Sequence, residues 1–151
     1  MHSPFQLLSL IVALPFFGLL FVLTVKDDPQ TESRNAFNVC IFTILANMLM
    51  IWRVFMVLDE QSHHLQLQEH FNWLSTPDIN IMIGVDVFSL LLILALHLAV
   101  LIGLAGVRGN TYKQKSLMVF TLLFLSMATG FFVAADIFSF YLFFEAMLLP
   151  V

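Results

Sequence analysis

The chain is organised by long apolar runs separated by short polar breaks. Residues from about Phe5 to Val25 form an uncharged run, and a second covers Ala36 to Leu58. A third runs from about Val85 to Val107, a fourth from Ser116 to Ala135, and a fifth starts at Asp136. A helix that crosses a bilayer needs roughly 20 apolar residues. The first four runs meet that length, so the pattern predicts four complete membrane helices and part of a fifth. Pro15 and Gly18 interrupt the first run, which neighbouring membrane helices can accommodate. Between the second and third runs the period changes. Leu65-Gln66-Leu67-Gln68 and Ile79-Asn80-Ile81-Met82-Ile83 alternate apolar and polar residues, with turn residues Ser75-Thr76-Pro77-Asp78 between them. That pattern predicts a small β-hairpin within the loop 59–84. An isolated two-stranded hairpin is marginal in water, so this one is expected to rest on its own helices or on a partner.

Composition agrees with an all-α integral membrane protein forming a single membrane domain over residues 1–151. Hydrophobic residues make up 60% of the chain and charged residues 11%, with a mean hydropathy of +0.95. A net charge of −4, spread over the loops, offers no nucleic-acid surface. The start Met1-His2-Ser3-Pro4 lacks the basic leader of a signal peptide, so the first run is expected to be a retained helix. The lone cysteine, Cys40, can form neither an intrachain disulfide nor a cysteine metal cluster. Lys26 and Arg34 lie in the first loop; Arg108, Lys113 and Lys115 lie in the third. By the positive-inside rule these loops face the cytoplasm or the mitochondrial matrix, which places the N-terminus and the hairpin outside. Arg53, the exception, lies near the outer end of the second helix, where its long stem can snorkel to the interface; the other reading pairs it inside the bundle.

Candidate chemistry resides in the few polar groups of the runs. Glu145 stands in Phe138-Ser139-Phe140-Tyr141-Leu142-Phe143-Phe144-Glu145-Ala146-Met147-Leu148-Leu149-Pro150. An acidic residue at mid-bilayer costs about 2.5–3.5 kcal/mol on insertion scales, so it persists protonated, paired, or beside a wet path. It reads as a proton-handling site. Glu145 follows Asp136 by nine residues, roughly 13–14 Å along a helix and close to the midplane. His97, about twelve residues into the third helix, reaches a similar depth, which suggests one lateral polar layer. A membrane histidine can equally be a neutral residue bonded to a neighbouring hydroxyl. Asp86 and Asp136 open helices, where a carboxylate caps backbone N–H groups; Asp136 is also a candidate along the proton path. His63 and His64, being adjacent, point to opposite faces of a strand and offer no shared metal site with His70. A bis-histidine haem needs two facing imidazoles, and only His97 lies well inside a helix.

Gly84-Val85-Asp86 with Ser89, followed by Phe143-Phe144-Glu145-Ala146-Met147-Leu148-Leu149-Pro150, resembles the antiporter-like chain M (chain 4 in mitochondria) of respiratory complex I. The resemblance runs in register through the whole chain, and Val87-Phe88 departs from the family's usual Gly-Ile. It implies the N-terminal part of a proton-translocating subunit of an NADH:quinone oxidoreductase, in a bacterial cytoplasmic or mitochondrial inner membrane. It implies that Glu145 pairs with a lysine on a later helix and carries protons in step with quinone reduction elsewhere. No cofactor is expected in this chain; NADH, FMN, iron–sulfur clusters and quinone belong to other subunits. Its partners would be the lipid bilayer, other membrane subunits, and a polypeptide supplying the later helices. Family members have about fourteen helices, so the sequence is expected to be a fragment, an incomplete sequence or half of a split subunit, without transport of its own. A related cation/proton antiporter or membrane-bound hydrogenase subunit shares the scaffold. A purely structural piece with an inert Glu145 is the third reading.

Overall fold

The computed structural model describes residues 6–25, 32–58, 64–75, 78–107 and 114–149. Lys26, Arg108 and Lys113 of the charge pattern, His63, and the turn residues Thr76 and Pro77 lie outside the described residues. The elements run in the order α1 (Leu7–Thr24), α2 (Glu32–Phe55), β1 (Gln66–Ser75), β2 (Asp78–Val85), α3 (Val87–Val107), α4 (Gln114–Val133) and α5 (Ile137–Leu148). The first four helices are long and apolar enough to cross a membrane; α5 is a shorter apolar helix. Four membrane-length helices are therefore present, with limits shifted from the apolar runs. α2 begins four residues earlier than its apolar run, because Glu32–Asn35 is polar but carries no helix breaker. α4 ends at Val133, where Ala134 leaves the helix to bridge Ile83.

The two strands form one antiparallel sheet, longer than the alternation suggested. Its register passes from Gln66 opposite Val85 to Glu69 opposite Ile83, so β1 carries one extra residue there. Leu67 lies in this bulge with φ of 52°, a region non-glycine residues seldom enter. A second irregularity lies between Asn72 and Leu74. β2 runs directly into α3, and its Met82 carbonyl accepts a hydrogen bond from the Ala135 N–H ahead of α5 (2.9 Å). The starts of α1, α3 and α5 and the ends of α2 and α4 thus gather at the hairpin end of the bundle.

Helix packing divides into two apolar clusters. One, at the hairpin end, contains Leu8, Ile11, Ile51, Val54, Leu90, Ile93 and Val133. The other, at the far end, contains Leu19, Val22, Cys40, Ile44, Leu104, Met118 and Leu122. Between them every one of α1–α4 contributes small or polar buried residues: Pro15 and Gly18, Asn47, His97, then Ser126 and Thr129. Thr43 lies at the edge of this belt. Small residues let helices approach where lipid offers no hydrophobic drive. At Gly18 the approach is close: a methyl group there would overlap the Thr43 side chain. Ser126 Oγ donates to the Val12 carbonyl at 2.7 Å, tying α4 to α1 beside Pro15. At the far end Lys115 Nζ donates to the Val25 carbonyl at 2.8 Å, a cation on the closing carbonyls of α1.

Candidate functional site

The α5 helix is anchored on one side and open on the other. Phe131 of α4 meets Phe140 and Phe144 with ring centroids 4.6 Å and 6.2 Å away, and Phe140 stacks on Phe144. Gly130 has no side chain because the Phe143 ring occupies that space. These aromatic contacts lock α5 against α4. Glu145 and Tyr141, one turn apart, lie exposed on the same helix, α5. Glu145 is thus not enclosed by the described residues.

His97 occupies a different setting. It is fully buried, and its ring is held at both nitrogens. Nδ1 lies 2.8 Å from the Ile93 carbonyl, which can only accept, so Nδ1 carries the hydrogen. In the neutral ring Nε2 is then an acceptor, and Asn47 Nδ2 donates to it at 3.0 Å. This leaves the buried Asn47 Oδ1 without a hydrogen-bond partner among the described residues. The polar group around His97 is not the expected one: its ring faces Asn47, and α5, which carries Glu145, packs on α4 and β2. The structure does not bring His97 and Glu145 together.

Asp136 caps α5. Its carboxylate accepts from the Ser139 N–H (2.9 Å), from the Ser139 hydroxyl, and from the Met82 N–H of β2 (2.7 Å). Partial burial draws its pKa upward. The bonds from Ser139, Met82 and Phe138 outweigh that and hold the carboxyl below its usual range. Asp86 does the same for α3, accepting from the Ser89 N–H at 2.8 Å. The Ser89 hydroxyl is the main cause of its lowered pKa, acting against partial desolvation and helped by backbone N–H groups. The capping reading of both residues is borne out. Arg53, in the last turn of α2, is exposed rather than inside the bundle.

Sequence reasoning missed two features. Asn47 and Thr43 are four residues apart within an apolar helix, a spacing that places both on one face and was there to be read. Glu69 had no local signal. From β1 it accepts from the Leu8 N–H (2.9 Å), the Ser9 N–H (3.2 Å) and the Ser9 hydroxyl, and so caps the start of α1. Gln6, at the cap position of α1, makes no side-chain cap bond.

Four membrane-length helices, a capping hairpin and a mid-bundle polar belt define a multi-span helical membrane protein. Among known proteins the chain is similar to subunit M and chain 4 of NADH-quinone oxidoreductases. It is 26% identical over 148 residues to NADH-quinone oxidoreductase subunit M of Rickettsia typhi, covering 95% of this chain and 30% of that protein. It is 27% identical over 147 residues to NADH-ubiquinone oxidoreductase chain 4 of Marchantia polymorpha, covering 95% and 28%. A third relative, NAD(P)H-quinone oxidoreductase chain 4 3 of Picosynechococcus, is 28% identical over 152 residues, covering 100% of this chain and 27% of the relative. The chain thus spans less than a third of the length of these curated relatives. No family model matches the chain. Among solved structures, a chain of the archaeal membrane-bound sulfane sulfur reductase, a respiratory membrane complex, shares the fold. Its TM-score is 0.69 at 15% identity, over 95% of this chain and 22% of that one.

Proposed function

We propose that the chain forms part of an antiporter-like, proton-translocating membrane subunit of an NADH:quinone oxidoreductase, with Glu145 as a proton carrier. The observation that carries this reading is the position of Glu145. It lies about 13–14 Å along α5 from the capped start, on the side away from the aromatic lock, where a basic residue of another helix could reach it. The curated relatives support the complex; the exposed carboxylate supports the role. In this reading the hairpin and the N-terminus lie outside, as the charge pattern suggests, and the chain has no redox part. Asp136, saturated by donors at a helix start, fits a structural part better than a proton step. His97 belongs to a separate group.

Extraction of native membranes in mild detergent, native-size separation and mass spectrometry test the assignment. Migration in a large NADH-oxidising complex, beside a chain carrying further helices, is the expected result. Migration with antiporter or hydrogenase subunits would replace the assignment. Within the complex, Glu145→Gln should lower proton translocation at least about tenfold while leaving assembly intact. Unchanged translocation would reduce Glu145 to a structural residue.

A further inference from the structure

We infer that the Asn47–His97 pair is a one-proton binding site at the centre of the bundle, with the Asn47 carboxamide as its reversible acceptor. In the neutral state His97 Nε2 holds a lone pair toward Asn47 Nδ2, 3.0 Å away, while Nδ1–H is committed to Ile93. The only ring atom free to take a proton is therefore Nε2. An imidazolium donates from both nitrogens, so after uptake Nε2–H needs an acceptor where the amide hydrogens were. Asn47 Oδ1 is that acceptor: it is buried, unpartnered, and on the same planar group. Half a turn of the carboxamide exchanges Nδ2 for Oδ1. An O–H bond of a hydronium ion breaks, leaving water, as the N–H bond forms at Nε2, and the Nδ1–H···O bond persists.

Orphaned buried acceptors are rare, and this one lies where the protonated ring would require it. No charge competes for the ring among the described residues of the elements that meet there. Leu7–Thr24 of α1 has no titratable residue. On α2, Glu32 and Arg34 stand in the first turn at the far end, Cys40 lies in the far cluster, and Arg53 is exposed at the hairpin end. On α3 only Asp86 precedes the ring, and it is engaged with Ser89. On α4, Lys115 donates to Val25 at the far end. The site is thus independent of Glu145, and it stands whether or not the chain serves a pump.

Solid-state NMR of the tagged full chain in native membranes, with ring-15N histidine, reads the protonation of both nitrogens. The signal missing in His97→Gln identifies the residue. The expected result is an Nε2 that is bare at alkaline pH and gains hydrogen on acidification, while the protein stays folded by circular dichroism. Asn47→Leu removes the acceptor and should lower that midpoint by about one to two pH units. Asn47→Asp should raise it, and serves alone if the leucine variant fails to fold. A ring that stays neutral until unfolding, or a midpoint indifferent to the residue at 47, overturns the site.

Discussion

The hairpin end and the central belt handle oxygen acceptors in opposite ways. At the hairpin end, the carboxylates of Glu69, Asp86 and Asp136 each meet at least two donors, and each caps the start of a helix. In the belt, the Asn47 carboxamide offers an acceptor that meets none. Saturated carboxylates at helix starts fix geometry, because any movement breaks several bonds at once. An amide with an idle oxygen can turn over without losing an existing bond to that oxygen. One region is built to hold still, and the other retains a second arrangement.

Closing the belt should have the largest cost. Gly18→Val would push Thr43 and α2 away from α1, and should destabilise the fold by about 2–4 kcal/mol. Reversible unfolding in mixed micelles measures it; a loss under about 1 kcal/mol would mean the helices are not closely packed there. Breaking the rim comes next. Asp136→Ala frees the donors of Ser139 and Met82 together, and should cost about 1–3 kcal/mol. Hydrogen exchange should accelerate at Met82 and Ser139 while Asn47 and His97 stay protected. Equal acceleration at both places would show that rim and belt do not differ as described.

The smallest effect is the rim's pH dependence. Asp86 and Asp136 have folded pKa values below their ordinary 3.8. Their contribution to stability is therefore complete above that value and is lost as pH falls through the lower folded values. Melting temperature should fall below about pH 4, and the Asp86→Asn, Asp136→Asn double variant should flatten part of that fall. An unchanged slope would leave the acid sensitivity to other groups.

How much of this the sequence disclosed depended on the range of each interaction. Apolar runs near 20 residues located α1, α3 and α4 well, because hydropathy averages over a whole helix. The start of α2 was missed because its first turn is polar yet helical. Asp86 and Asp136 were legible as caps, since a carboxylate three residues before its donor is a local pattern. His97 stood out for its charge type, whereas Asn47, uncharged and surrounded by Met and Leu, did not. Its ring partner lies 50 residues away on another helix. The open face of Glu145 was likewise beyond a one-dimensional reading, because only the Phe131–Phe140–Phe144 packing fixes which way α5 turns.

The cap that Glu69 supplies to α1 also sets an order of assembly. A chain is made from its N-terminus, so the leading N–H groups of α1 wait for an acceptor that arrives 60 residues later. Until β1 exists, the first helix has no side-chain cap of its own. β2, by contrast, is made before Asp136, and so stands ready to seat α5 as that helix emerges. The hairpin in the middle of the sequence thus completes the helix made before it and prepares the one made after. A lesion in the hairpin should therefore show first as late failure of an already inserted α1, not as failure of insertion itself.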